Sequence, residues 1–216
     1  MSDVDPMSGS PRVLVVVGTR PEAIKMAPVL EGFQRHSSLV DTRLALTGQH
    51  TDLVDQVLEA FAMVPDYDLD IMQEGQDLYH LSHACLDGLR DVVRDCRPHL
   101  LLAQGDTATV FYATLVAFFE KAAVGHVEAG LRSGDKGAPF PEEMFRRLSD
   151  VLTDYHFAPT NKARANLRRE GVPPERIFVT GNTVVDALHQ AAGRRESPDN
   201  PDLREILARG SSLVLL

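Results

Sequence analysis

The sequence predicts an α/β protein built on one parallel, doubly wound sheet with helices on both faces. Short apolar runs rich in β-branched residues alternate along the chain with longer segments whose apolar residues recur every three or four positions. Runs of the first kind are typical of buried strands, and segments of the second kind are typical of helices. Because a helix follows each strand, successive strands are expected to run parallel.

Seven apolar runs bounded by turn residues predict the strands. They are Arg12 to Val17, Thr42 to Leu46, Tyr67 to Leu69, His99 to Gln104, Ala123 to Val127, Tyr155 to Ala158 and Ile177 to Thr180. Amphipathic segments between them predict helices near Glu22 to His36, Asp52 to Ala62, Leu78 to Arg94, Thr107 to Lys121, Glu142 to Val151, Lys162 to Glu170 and Thr183 to Ala192.

Composition shifts mark the ends of the predicted domain. Residues 1–10 read as a disordered polar leader, and residues 11–192 form the predicted domain. From Gly193 to Pro201 the chain is charged and proline-bearing, which is typical of a linker. A short helix, Asp202 to Arg209, and an apolar run ending at Leu216 follow. Residues 193–216 are therefore interpreted as a linker and the truncated start of a second domain.

The overall charge limits the classes of partner. The 216 residues carry a formal net charge of -9, which argues against binding to nucleic acid or to anionic membranes. The most apolar run, Leu115 to Phe119, is too short to span a membrane, and no signal peptide is evident. Cys85 and Cys96 fall in one predicted helix, roughly 16 Å apart, too far for a disulfide. A cytoplasmic protein with reduced thiols is expected.

The most informative segment, Val124 to Arg147, contains three glutamates among glycines, prolines and cations. Glu128 stands at the carboxyl end of a predicted strand, where open α/β sheets bind their ligands, and no helix start explains its charge. Asp106 follows the preceding strand and alone would be read as a helix cap. If the two strands are neighbours, both carboxylates reach one edge of the sheet and favour general acid–base chemistry.

Glu142 and Glu143 would lie in the first turn of a helix, where negative charge is favourable. That structural explanation is strong for one of the pair and weaker for both. Nearby cations could pair with these acids or with a ligand diphosphate, although solvated surface charge is the default for each. They are Arg132, Lys136, Arg146 and Arg147.

The first strand leads into GTRPEAIKMAP, Gly18 to Pro28, which lacks the G-x-G-x-x-G pattern of dinucleotide binding. Thr19 and Glu22 have the spacing of a capping box. Arg20 and Lys25 are not needed for that cap, and near a helix amino terminus they favour a phosphate-bearing ligand.

The histidines do not indicate a metal site. His80 and His83 have helical spacing, but no acidic cluster lies beside them, so surface or core histidines are the better interpretation. Gln49 and His50 follow a glycine at the end of the second strand and could share the ligand edge. Neither a metal nor a cofactor is predicted.

Seven motifs, in order, resemble one family. They are GTRPEAIKMAP (Gly18 to Pro28), TGQH (Thr47 to His50), VPDYDLDIM (Val64 to Met72), GDTATV (Gly105 to Val110), GHVEAGLRSGD (Gly125 to Asp135), PFPEE (Pro139 to Glu143) and IFVTGNTVVDAL (Ile177 to Leu188). Together they resemble the non-hydrolysing UDP-N-acetylglucosamine 2-epimerases, and the resemblance runs from about Arg12 to Leu188.

The resemblance implies two Rossmann-like domains in the B-type glycosyltransferase (GT-B) arrangement, of which this chain is the amino-terminal domain. The family interconverts UDP-N-acetylglucosamine and UDP-N-acetylmannosamine, precursors of cell-surface polysaccharides. UDP is eliminated to give 2-acetamidoglucal and is then added back. A UDP-sugar substrate, no cofactor and a homodimer are implied.

Residue roles follow from the same resemblance. Asp106, Glu128 and Glu142 occupy the catalytic carboxylate positions. Arg20 and Lys25, with Asp106 and Glu128, occupy substrate-binding positions.

Other positions match a regulatory site or depart from the family pattern. Gln49 and His50 match a region that contacts a second, allosteric UDP-N-acetylglucosamine in bacterial members. Phe145 stands where the family usually has Asn, and Gln104 stands where His is common.

The resemblance ends before the second-domain motifs, which implies an epimerase half that is inactive unless a separate carboxyl-terminal half completes the site. The alternative is a non-catalytic module that binds a nucleotide sugar or a protein partner. A glycosyltransferase of the same architecture is less favoured, because the pattern of acids resembles the epimerases.

Overall fold

The computed structural model describes residues 10–48, 52–71, 75–193 and 200–209. Its strands are β1 (Arg12–Val17), β2 (Asp41–Leu46), β3 (Tyr67–Asp68), β4 (Leu100–Gln104), β5 (Ala123–Val127), β6 (Tyr155–Ala158) and β7 (Ile177–Val179). Its α-helices are α1 (Arg20–Gln34), α2 (Asp52–Ala60), α3 (Leu78–Cys96), α4 (Ala108–Phe119), α5 (Glu142–Leu152), α6 (Asn161–Arg169), α7 (Val184–Gly193) and α8 (Pro201–Ala208).

Every predicted strand and helix within the described residues is confirmed, with small shifts at the ends. A short 3-10 helix, Pro174–Arg176, was not predicted. Gln49, His50, the leader before Ser10 and the apolar run ending at Leu216 lie outside the described residues. The proposed domain boundaries stay predictions.

The seven strands form one parallel sheet in the order β3-β2-β1-β4-β5-β6-β7. The chain adds strands outward from β1 to β3, returns to the other side of β1 with β4, and then adds β5 to β7. That reversal between β1 and β4 opens a crevice at the carboxyl ends of the strands, where ligands bind in this class of sheet. The predicted doubly wound sheet is confirmed.

Each face of the sheet is covered by its own hydrophobic cluster. Alternate residues of β1 point to opposite faces, so Leu14 and Val16 belong to one cluster and Val15 and Val17 to the other. Helices α3 and α4 cover the first cluster, whereas α1 and α2 cover the second. Burial of both faces explains why the central strands are almost continuously apolar.

The two cysteines both lie in α3 as free, buried thiols. Burial raises the pKa of Cys85 to about 12, so this thiol is held in its unreactive protonated form at neutral pH. None of the described helices is both long and apolar enough to cross a membrane.

Two glycines allow the turns at the carboxyl edge of the sheet to touch. A Cβ built on Gly48, after β2, would lie 2.0 Å from the carbonyl oxygen of Gly18, after β1. A Cβ on Gly18 would lie 2.2 Å from Oγ1 of Thr109 in α4. The start of α1 is therefore fixed by close contact with the turn after β2 and with the first turn of α4.

We predict opposite effects on stability for two glycine-to-alanine substitutions. Gly48→Ala should lower the free energy of unfolding by about 2 kcal/mol, because its methyl group must displace backbone. Gly32→Ala, in α1 with no atom within 4 Å of the new Cβ, should raise it by roughly 0.5–1 kcal/mol through helix propensity. Urea unfolding measures both, and equal effects would contradict the contact between the turns.

Candidate active site

Glu128 immediately follows β5 and has an unusual backbone conformation. Its φ of 71° lies in the left-handed region, which costs a non-glycine residue about 1–3 kcal/mol. The conformation is held by the amides of Glu128 and Ala129, which both donate to the carbonyl oxygen of Phe157 in β6, at 3.0 and 3.2 Å. Strain maintained in this way is common at functional sites.

The side chain of Glu128 is held by donors from three elements. Its Oε2 accepts from Nζ of Lys25 in α1 at 2.8 Å and from Nε2 of Gln104 in β4. Its Oε1 accepts from Nδ2 of Asn182, which precedes α7, at 2.7 Å. The carboxylate is thus oriented at the carboxyl edge of the sheet, as a general base must be.

Asp106 lies in the neighbouring turn, between β4 and α4. Its Oδ2 forms an ion pair with Nη2 of Arg146 in α5 at 2.7 Å. Burial raises the pKa of Asp106, Arg146 opposes that shift, and the nearby charges of Glu128 and Glu142 raise it further. The three acids singled out in the sequence therefore meet at one edge.

Glu142 and Glu143 start α5, but they have different surroundings. Glu143 is fully buried and accepts hydrogen bonds from the amides of Ser133 and Gly134 at 3.0 and 3.4 Å. Burial opposes ionisation of Glu143, but these amides and Arg146 outweigh it and lower its pKa. Glu143 therefore anchors the loop before α5, whereas Glu142 is partly exposed and acts electrostatically on Asp106.

Glu22 forms the predicted capping box and also joins two turns. Its Oε2 accepts from the amides of Gly18 and Thr19, and its Oε1 accepts from Oγ1 of Thr107 at 2.7 Å. Burial raises the pKa of Glu22, although these hydrogen bonds act in the opposite direction. The amino terminus of α1 is thereby attached to the turn that carries Asp106.

A buried histidine lies directly beneath the acids. Nδ1 of His126, in β5, lies 2.6 Å from Oδ1 of Asp150, and Nε2 lies 2.7 Å from the carbonyl oxygen of Gly105. Both partners only accept hydrogen bonds, so both ring nitrogens carry hydrogen and the ring is an imidazolium. Burial opposes this charge, but the interactions with Asp150 outweigh it and raise the pKa of His126.

Asp150, in α5, connects that histidine to a second turn. Its Oδ2 accepts from the amide of Gly130 at 3.1 Å and from Nη2 of Arg132 at 2.7 Å. Arg132 also pairs with Glu170, at 2.6 and 2.9 Å. Burial opposes ionisation of Asp150, but His126 and Arg132 lower its pKa. The network links the turn of Asp106 to the turn of Glu128.

Two further sequence features are located by the structure. Arg20 is the exposed first residue of α1. The ring of Phe145 stacks on Phe111 of α4, with centroids 5.4 Å apart and planes 9° apart, and also contacts Tyr112. Phe145 therefore contributes to the packing of α5 on α4, while Arg146 beside it pairs with Asp106.

The arrangement combines groups that transfer protons with groups that bind anions. Lys25 and Arg146 bring positive charge to the three acids. Among the described residues, no three metal-ligating side chains of the His, Cys, Asp or Glu type converge. The chemistry indicated is general acid–base transfer next to an anionic group.

Comparison with known proteins identifies the family. A family model described as UDP-N-acetylglucosamine 2-epimerase matches residues 33–216. The chain belongs to this family. A curated UDP-N-acetylglucosamine 2-epimerase from Yersinia pestis is 49% identical over 198 residues, which cover 92% of this chain and 52% of that protein.

Solved structures of epimerases share the fold. One crystal structure of a UDP-N-acetylglucosamine 2-epimerase has a TM-score of 0.86 and 43% identity, covering 92% of this chain and 55% of that one. The enzyme from Neisseria meningitidis bound to UDP-GlcNAc has a TM-score of 0.83 and 42% identity, covering 92% and 53%. The chain therefore spans about half the length of the relatives it matches, as expected for the amino-terminal domain of the GT-B architecture.

Three residues of this site were missed in the sequence: His126, Asp150 and Asn182. His126 does carry a signal, because a basic residue interrupts the apolar run of β5 at a position where only a paired side chain is stable. Asp150 and Asn182 carry no comparable signal, because their partners lie 24 and 54 residues away. The functional roles of Asp106, Glu128 and Glu142 stay predictions.

We predict that the stabilising effect of His126 depends on pH. A group whose pKa is raised by folding stabilises fully below its unfolded pKa of about 6.5, and the effect is lost as pH rises through its folded pKa. His126→Gln should therefore cost about 3 kcal/mol near pH 6, and less at alkaline pH.

Urea unfolding of both proteins across this pH range measures the difference. His83→Gln, at an exposed position in α3, serves as the control and should follow the wild type at every pH. A cost for His126→Gln that stays constant with pH would contradict an imidazolium at position 126.

Proposed function

We propose that this chain provides the amino-terminal, acid–base wall of a non-hydrolysing UDP-N-acetylglucosamine 2-epimerase. The observation that carries the proposal is the meeting of Asp106, Glu128 and Glu142 at the carboxyl edge of the sheet, beside Lys25 and Arg146. Membership of the family and the UDP-GlcNAc-bound Neisseria meningitidis relative support the choice of substrate.

The reaction requires two linked changes at adjacent sugar carbons. A carboxylate removes the proton from C2, the electron pair of that C–H bond forms a C1=C2 double bond, and the C1–O bond breaks with release of UDP. In the reverse direction, UDP adds to C1 while a proton reaches C2 from the opposite face. Because a C2 hydrogen is a poor acid, both a positioned base and a stabilised leaving group are needed.

The acids are suited to different parts of this exchange. Burial raises the pKa of Asp106, and the charges of Glu128 and Glu142 act in the same direction, so Asp106 is assigned as the group that donates a proton. Glu128 accepts hydrogen bonds on both oxygens, including one from Lys25, and is assigned as an oriented base. Glu142 is assigned to the same constellation through its effect on Asp106.

Cations at this edge are assigned to the diphosphate. Nζ of Lys25 lies 2.8 Å from Oε2 of Glu128, and the exposed Arg20 lies five residues earlier in α1. Positive charge close to the developing charge on UDP would stabilise its departure. Gln49 and His50 stay assigned to an allosteric UDP-N-acetylglucosamine by resemblance alone, as does the homodimer.

The acids lie at the carboxyl edge of the sheet, and this chain spans about half the length of the relatives it matches. We therefore expect the chain alone to bind a UDP-sugar weakly and to leave C2 unexchanged. A carboxyl-terminal half, whether joined or separate, would complete the site. A purely binding module is the competing outcome of the experiment that follows.

We predict that Glu128→Gln strongly slows exchange at C2. The chain would be extended with the remaining part of the Yersinia pestis relative and incubated with UDP-N-acetylglucosamine in deuterated water. Deuterium should enter C2 with the extended chain but not with the 216 residues alone. Loss of the base should slow incorporation roughly 10²-fold or more.

The matched control for that experiment is Glu175→Gln, an identical change at an exposed position on the opposite edge of the sheet. It should exchange like the wild type. A folded extended chain that binds UDP-N-acetylglucosamine but exchanges nothing would favour the binding module over the enzyme.

We predict that the two glutamates of α5 separate stability from activity. Glu143→Gln should lower the free energy of unfolding by about 1–3 kcal/mol, because a neutral amide has one acceptor oxygen for the two backbone donors and loses the ion pair with Arg146. Glu142→Gln should change stability by less than about 0.5 kcal/mol, yet it should reduce exchange at C2. Urea unfolding and deuterium incorporation measure the two effects, and the reverse pattern would reassign the roles.

A further inference from the structure

Asn182 uses both ends of its amide to connect Glu128 to α7. Its Nδ2 donates to Oε1 of Glu128 at 2.7 Å, and its Oδ1 accepts from the backbone amide of Val184, at the start of α7, at 3.0 Å. Because Oδ1 already receives a backbone N–H, the NH₂ group must face the carboxylate. The amide orientation is therefore determined by its surroundings.

The contact spans a strand of the sheet. Glu128 follows β5 and Asn182 follows β7, and β6 lies between them. Asn182 is the donor to Oε1, whereas Lys25 and Gln104 both donate to Oε2. The two oxygens of the carboxylate are thus held from different sides of the site.

A second contact matters because the terminal torsion of a glutamate is soft. The torsion that rotates the carboxylate plane is broad and roughly two-fold, so donors on Oε2 do not fix that plane. A donor on Oε1, added to the donors on Oε2, does fix the plane of the carboxylate. Proton transfer depends strongly on direction, since small misplacements of a reacting group reduce the rate considerably.

Helix α1, which carries Lys25, and helix α7, which begins just after Asn182, are packed together. Helix α7 packs against α1, and Gln190 of α7 donates a hydrogen bond to Glu31 of α1. Lys25 belongs to α1, and Asn182 precedes the first turn of α7. The position of Glu128 therefore depends on the packing of α1 against α7.

We infer that Asn182 is a positioning residue that fixes the carboxylate plane of Glu128 and couples it to the start of α7. The contribution of Asn182 to catalysis rests on the proposed epimerase function. The contact between Asn182 and Glu128 does not depend on that function, and it can be tested on the 216-residue chain without substrate.

The test is Asn182→Asp, which keeps an oxygen for the amide of Val184 but places a second carboxylate against Glu128. Two carboxylates at this distance share a proton at low pH and repel each other when both are ionised. The melting temperature should fall by about 4 °C or more relative to wild type near pH 7.5, and the deficit should shrink toward pH 5.

Two further variants make the result specific to this pair. In the double variant Asn182→Asp/Glu128→Gln the repulsion is gone, so the pH-dependent deficit should disappear. Asn161→Asp, which adds the same charge to the exposed first turn of α6, should show no such deficit. A deficit that persists in the double variant, or one that does not vary with pH, would overturn the inference. Failure of C2 exchange would count only against the proposed function.

Discussion

The ion pair between His126 and Asp150 is the interaction on which the arrangement of the acids at the carboxyl edge of the sheet depends. Both side chains are almost fully buried, so the charge of His126 is stable because Asp150 is present, and Asp150 is stabilised by His126 together with Arg132. The imidazolium holds the carbonyl of Gly105, and the carboxylate holds the amide of Gly130. Those glycines are next to Asp106 and two residues beyond Glu128. A pair inside the fold thereby sets the separation of two acids at its surface.

The same pair explains why a strained conformation persists at Glu128. The turn after β5 is fixed on one side by the carbonyl of Phe157 and on the other by Asp150 acting on Gly130. A turn with two such attachments cannot relax the positive φ of Glu128 without breaking buried hydrogen bonds. The side chain therefore reaches Lys25, Gln104 and Asn182 from a backbone that is held in place.

Much of this site follows from rules that act over short stretches of chain. Asp106 and Glu128 could be placed together because they end adjacent parallel strands, and that adjacency is the usual arrangement for sequential strands. The capping box of Glu22 is likewise local. Such rules do not show which of Glu142 and Glu143 is buried, because the burial of Glu143 arises from the loop of Ser133 and Gly134 that folds back onto it. Such rules also do not identify Asn182 as a partner of Glu128, because that contact depends on where β7 lies relative to β5 in the sheet.

The charges at this edge also show how an acidic chain could receive an anionic substrate. The chain has a net charge of -9, and two cations at this edge are already paired, Lys25 with Glu128 and Arg146 with Asp106. Under the proposed function, a diphosphate that binds Lys25 or Arg146 competes with a carboxylate for the same donor. A carboxylate that loses its cation becomes a stronger base, because its charged form is less stabilised. Binding of the leaving group and activation of the acids would then be one event.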